Sequence, residues 1–171
     1  MAELARLSVR DQIGAGDPAV RAPGVTVRVL DPVGQFYVTG APALAPNTRA
    51  DADPYSLWLA PDRALVVYEA QRTEPVGGFV SDVTDGLFVA EIVGPRAGDI
   101  IAASTTLDPH SDVLAVGRCA QTLFGGVKVV LYAYGEGFRL HAERQFAAFL
   151  LEWLREAGSA LAERPAPTAE E

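Results

Sequence analysis

The 171-residue chain holds one cysteine, one methionine and two histidines. A lone cysteine, Cys119, cannot close an internal disulfide, so the fold must rest on an apolar core, which 49% hydrophobic residues can supply at this length. The histidines, His110 and His141, lie far apart in sequence, and no His-x-x-x-His, Glu-x-x-His or Cys-x-x-Cys spacing accompanies either. Zinc-type ligation is therefore not expected, and both are expected to be surface or loop residues. Long apolar runs are also missing. The longest, "VVLYAYG" and "FAAFLLEWL", fall far short of the roughly 20 residues that cross a bilayer. No basic stretch followed by an apolar run opens the chain, so a cytoplasmic location is expected. Cations are in the minority, 14 against 22 acidic side chains for a net charge of −8, which argues against a nucleic-acid surface. No period of 20 to 50 residues repeats, which excludes solenoids and propellers.

What is present reads as an α+β domain. Residues 1–24 are broken by Gly14, Gly16, Pro18 and Pro23 and form an irregular arm, followed by a strand over 25–30. Residues 40–54 read as loop. Pro61-Asp62 separates two β-rich runs, 56–60 and 64–69, as the turn of a hairpin. A strand over 87–93 places Phe88, Ala90 and Ile92 on one face and Glu91 on the other. Gly94-Pro95 then opens a short helix buried through Ala97, Ile100 and Ile101. Gly125-Gly126, between strands 118–124 and 127–134, can take positive φ at both positions, the strongest hairpin signal in the chain. A short strand over 138–142 precedes a helix with Phe146, Phe149, Leu150, Trp153, Leu154, Ala157 and Leu161 on its apolar stripe and Leu151 off it. The order strand, helix, three strands, helix fits antiparallel sheet with helices on one face, of ferredoxin-like character. The expected organisation is one domain over 25–162, in packed halves of about 25–80 and 81–162, with a disordered acidic tail over 163–171.

Three constellations could carry chemistry. Cys119 lies beside Arg118, and a neighbouring cation activates a thiol by lowering its pKa. On a strand, however, Arg118, Ala120, Thr122 and Phe124 share one face, and Cys119, Gln121 and Leu123 the other, so the guanidinium points away and a buried, inert thiol is expected. Asp82 and Asp85 could form an acid and base pair, but carboxylates before a strand more commonly serve turns. The "GAGD" at 14–17 lacks the third glycine and the βαβ setting of a dinucleotide loop. No catalytic, cofactor-binding or metal-binding residue is assigned.

The run "LAPNTRADADPYSLWLAPDRALVV", then "VTDGLFVAEIVGPRAGDIIAASTTLDPH", then "VGRCAQTLFGGVKVVLYAYGEGFRLHAERQFAAFLLEWL" resembles the gamma subunit of heterotetrameric sarcosine oxidases. Its marks are Leu57-Trp58-Leu59 with Pro61-Asp62, Gly94-Pro95, Leu107-Asp108-Pro109-His110, the stretch from Gly117 to Leu123, and the helix from Arg144 to Trp153. The resemblance spans about 115 residues, from roughly 44 to 157. It implies the fold of the folate-binding aminomethyltransferases, two small α+β halves packed together. It further implies an accessory, non-catalytic subunit, with FAD, FMN, NAD and tetrahydrofolate held by larger alpha and beta subunits beside a small delta subunit. The complex would demethylate sarcosine oxidatively to glycine, forming hydrogen peroxide and passing the one-carbon unit to tetrahydrofolate. The pattern departs between Val67 and Asp82, where the family implies a longer helix, and no residue matches the aminomethyltransferase's catalytic aspartate. Two alternatives stand beside this reading: a free-standing folate-binding or one-carbon transfer protein of the same fold, and a subunit of a related N-methyl amino acid demethylase. A small hydrolase using Cys119 is a third. Leu151, off the helix stripe, is the candidate interface residue.

Overall fold

The computed structural model describes residues 11, 14–40, 44–50 and 52–163. The expected tail lies outside these from residue 164 on, as does the first part of the arm. Among the described residues from Val20 on, eleven strands and two α-helices follow one another: β1 (Val20–Ala22), β2 (Val25–Leu30), β3 (Gly34–Thr39), β4 (Arg49–Ala50), β5 (Tyr55–Ala60), β6 (Arg63–Tyr68), β7 (Phe79–Asp82), β8 (Leu87–Val93), α1 (Ala97–Ser104), β9 (Ala120–Phe124), β10 (Val127–Tyr134), β11 (Gly137–Glu143) and α2 (Ala147–Glu163). They build two antiparallel sheets, one in the order β1-β2-β8-β11-β10-β9 and one in the order β4-β5-β6-β3-β7.

The period-2 alternation of the strands divides the first sheet between two cores. Phe88, Ala90, Ile92, Leu131, Leu140 and Ala142 point to one face, where they pack with Ile100 and Ile101 of α1 and Leu150 and Leu154 of α2. From the opposite face Leu87 and Tyr132, with Cys119, meet Tyr55, Leu57, Leu65 and Val67 of the second sheet. The molecule is therefore three layers, helices on one side of the six-stranded sheet and the five-stranded sheet on the other. Burial on both faces explains why β8 reads almost without alternation.

The α+β class, and the expected order strand, helix, three strands, helix, are present. Gly125 and Gly126 sit at φ 56° and 86°, the left-handed pair a two-residue hairpin needs, and Phe124 faces Val127 across it. Several expectations are corrected. The arm contains β1, which pairs with β2. β2 does not join the strands that follow it; it pairs with β8, while β7 pairs with β3, so the boundary near residue 80 does not divide the sheets. The interior strand β3, between β6 and β7, has no counterpart among the expected elements, because Gly34 and the short 31–39 stretch hide an alternation in which Gln35 and Tyr37 face one way and Phe36 and Val38 the other.

The helix implied between Val67 and Asp82 is replaced by a loop and β7. Arg72 lies 5.0 Å over the Phe36 ring, and Gly77 approaches so near Val38 that a Cβ there would fall 2.4 Å from its methyl, so the loop itself covers part of this outer face.

The phase of α2 also differs. Its buried positions are Ala147, Leu150, Leu151, Leu154, Gly158 and Leu161. Leu151, expected at an interface, is 2% exposed and belongs to the core, whereas Phe149 of the expected stripe is 49% exposed. The cause is an apolar arc too wide for one face: two neighbouring stripes satisfy the 3.6 period, and Gly158 selects between them. A Cβ at Gly158 would stand 2.8 Å from that of Ala22, so only this residue lets the helix settle onto β1.

Candidate functional site

Between the two sheets lies a polar cluster enclosed by apolar side chains. Period-2 geometry puts Tyr132 of β10 and Arg139 and His141 of β11 on the face toward the second sheet, where Tyr55 of β5 and Gln35 of β3 point back at them. His141 is 2% exposed, which corrects its expected surface position. Its Nδ1 lies 2.8 Å from Gln35 Oε1, an atom that can only accept, so Nδ1 carries the proton and Nε2 is left to accept. Nε2 faces the hydroxyls of Tyr132 at 3.1 Å and Tyr55 at 3.3 Å, and Tyr132 donates to Tyr55 at 2.9 Å.

Burial decides the protonation of all three groups. It pushes the His141 imidazole down to about 3, with the nearby Arg139 cation adding to the effect. It pushes the Tyr55 phenol up to about 12 and Tyr132 well above its ordinary value. At neutral pH the cluster thus holds a neutral imidazole and two intact phenols. Arg139 closes one side of it, donating to Glu69 at 2.6 Å and Glu91 at 2.9 Å and lying 3.4 Å over the Tyr134 ring, which ties the two sheets by charge.

Next to this cluster opens a cavity of about 1110 Å³. His141 and Val130 line it from the first sheet, Leu65 and Tyr37 from the second, and Arg63, Lys128 and Glu143 are its charged lining residues. The cavity continues around the free edge of β9 to Ser104, Thr105 and Trp153 on the helix side. Trp153 Nε1 donates to Ser104 Oγ at 3.0 Å, and its ring closes over Gly125.

The sequence candidates fall elsewhere. Cys119 is buried in the inter-sheet core, and its Sγ lies 3.2 Å from the carbonyl oxygen of Thr48. Burial raises its pKa and outweighs Arg118, so the thiol is not activated. Burial would also raise the Asp82 carboxyl, but hydrogen bonds from Thr84 and Arg72 prevail and bring it down to about 2. Asp82 serves the turn to Thr84, while the Asp85 carbonyl accepts from Arg144. His110 is exposed on the loop after α1. Among the described residues, no group of three or more His, Cys, Asp or Glu could hold a metal ion, and no helix is long and apolar enough to cross a membrane. Tyr55, Tyr132, His141, Arg139 and Gln35 were missed by motif searching. The one local signal is that Arg139 and His141, two apart on β11, share the strand face opposite Leu140 and Ala142; Gln35, Tyr55 and Tyr132 come from three other strands and no sequence spacing links them.

The fold and the inter-sheet cluster define a small α+β protein of two antiparallel sheets with helices over one of them. Its architecture is similar to a chain of the heterotetrameric sarcosine oxidase from Corynebacterium sp. U-96, solved in complex with pyrrole 2-carboxylate. The TM-score is 0.79 at 22% identity, over 94% of this chain and 98% of that one. No protein-family model and no curated protein sequence matches the chain.

Proposed function

We propose that this chain is an accessory subunit, of the gamma type, in a heterotetrameric flavin-dependent oxidase that demethylates sarcosine or a related N-methyl amino acid. In this reading FAD, FMN, NAD and tetrahydrofolate belong to larger alpha and beta subunits, a small delta subunit completes the assembly, and the complex works in the cytoplasm. The observation that carries the reading is the end-to-end likeness to a chain that is itself part of a heterotetramer. The likeness spans nearly all of both chains, so it concerns a whole subunit rather than a domain shared with a larger enzyme. The protonation of the buried cluster supports a structural role, because a neutral imidazole and two intact phenols tie the sheets together.

Co-expression with the genes encoded beside this one tests the proposal. The chain should co-purify with two larger proteins in a yellow complex that releases hydrogen peroxide from sarcosine. Purified alone, it should be colourless between about 350 and 500 nm, where flavins absorb, and oxidise no amine. A yellow single chain that turns over by itself would overturn the reading. Tight binding of tetrahydrofolate by the isolated chain would replace it with that of a free-standing folate-binding protein.

A further inference from the structure

The cavity's lining comes from both faces of one sheet. Val130, His141 and Glu143 look toward the second sheet, while Val129 and Ala142 look toward the helices. A space confined between two layers touches one face only, so this one must wrap around the sheet's edge, and the edge it wraps is β9. Gln121, Thr122 and Leu123 of β9 form its floor, Leu59 and Arg63 stand on one side, and Thr105 and Trp153 on the other.

The backbone of β9 shows what such a trough can hold. Phe124 and Val127 flank the two-residue hairpin as a hydrogen-bonded pair, so Leu123 and Gln121 direct their N–H and C=O groups outward. At both ends the outward row is already satisfied by the chain itself. Cys119 N–H donates to Asn47 O at 3.0 Å, Arg118 bridges to Thr48, and Gly125 N–H donates to Ser104 O at 2.9 Å. Between these ends, among the described residues, the outward backbone groups of Gln121 and Leu123 have no hydrogen-bond partner. Leu123 is 54% exposed there. An open sheet edge with an apolar side chain on each side, Leu59 on one and Trp153 on the other, is the geometry of strand addition.

Charge narrows the occupant. The whole chain carries −8, yet the ionised side chains lining the trough are Arg63 and Lys128 against Glu143 alone. Lys128 is the only lysine in the sequence. It pairs with Leu123 across the hairpin and is exposed beside the open edge.

We infer that the β9 edge accepts a short extended segment of a partner polypeptide as a further strand, one that alternates apolar residues with carboxylates. Its backbone would pair with Gln121 and Leu123, its carboxylates would meet Lys128 and Arg63, and its apolar side chains would pack on Leu59 or Trp153. The inference rests on the subunit reading only for the partner's identity.

The test uses the isolated full chain and a capped hexapeptide alternating valine and glutamate, with a valine–lysine peptide as control. The expected result is saturable binding that shifts the Gln121 and Leu123 amide protons downfield and protects Lys128 from acetylation, while the α-amino group still reacts. The lysine peptide should bind about tenfold more weakly or worse. Leu123→Pro removes an outward donor without touching the β9–β10 ladder and should abolish binding. Lys128→Glu, an exposed change that should leave the fold intact, should shift the preference toward the lysine peptide. The inference is overturned by absence of saturable binding at about 1 mM peptide. It is equally overturned by binding that survives Leu123→Pro but not Lys128→Glu, which would mean capture of a small anion. Self-association that Leu123→Pro dissolves would make a second copy the occupant and overturn it too. Because no larger subunit is used, failure here leaves the subunit reading standing, and failure of co-purification leaves this one standing.

Discussion

At the scale of single residues, His141 shows what burial does to a titrating group. An imidazole held at about 3 in the folded chain and free to titrate near 6.5 when unfolded gives the unfolded state more protons between those values. Its contribution to stability is complete above about pH 6.5 and is lost as the pH falls toward 3. We expect the unfolding free energy to drop by about 1.4 kcal/mol per pH unit in that window, and His141→Gln to flatten the slope between about pH 6.5 and 4.5, above the carboxylate range. Denaturant unfolding at a series of pH values measures both, and an unchanged slope would place the titrating group elsewhere. Cys119 yields a second expectation. Because the thiol is buried with a raised pKa, a thiol reagent should label it only as fast as the protein unfolds. Cys119→Ala should cost about 1 kcal/mol, for a small cavity and a weak hydrogen bond to the Thr48 carbonyl. Labelling of the native chain within seconds would contradict the assignment.

Among the elements, the β9–β10 hairpin joins local strain to tertiary packing. Gly125 and Gly126 both hold positive φ, but a Cβ at Gly125 would stand 2.9 Å from the Trp153 ring, while one at Gly126 meets nothing within 4 Å. Gly126→Ala should therefore cost about 1 kcal/mol through backbone strain alone, and Gly125→Ala about 2 kcal/mol or more through strain and collision. Equal losses in thermal unfolding would show that Trp153 yields freely. Trp153 is itself half-buried and bonded to Ser104, so Trp153→Ala should cost about 2 kcal/mol rather than the larger loss of a fully buried tryptophan. These elements differ in how openly the sequence showed them. The hairpin at 125–126, the strand 87–93 and the buried stripe of α1 could be read directly, since glycine pairs and apolar periods act over a few residues. The phase of α2 could not be read, because its apolar arc serves two faces equally and the choice was made by Ala22, more than a hundred residues away in sequence.

At the scale of the whole molecule, two sheets built from interleaved segments of one chain must be held together. Apolar contact does most of it, through Leu57, Leu65, Val67 and Tyr132, but Arg139 adds a charged tie from β11 to Glu69 at the end of β6 and to Glu91 of β8. Its side chain is 8% exposed, so removing it leaves the largely buried Glu91 with only the longer ion pair to Arg28 at 3.6 Å, and Glu69 with none of its own tie to β11. Arg139→Ala should cost about 3 kcal/mol, and Arg139→Lys should recover only part of this, because an ammonium cannot present the guanidinium's fork to two carboxylates. Should chemical denaturation find lysine and arginine equivalent, the geometry of the tie would be irrelevant.

The sequence by itself determined the α+β class, most strand and helix positions from Tyr55 onward, and the lack of a third glycine that separates "GAGD" from a dinucleotide fingerprint. All of these depend on side-chain chemistry and on periods that act within about ten residues. Tertiary structure alone decided that β2 crosses to pair with β8, that β3 sits inside the second sheet, and that Leu151 is core while Phe149 is exposed. It also decided that Gln35, Tyr55, Tyr132 and His141, spread over 107 positions, share one buried hydrogen-bond cluster. The physical reason is range. Propensity and turn chemistry are local, whereas strand order, helix phase and the burial of a polar side chain are fixed by which distant surface comes to cover it.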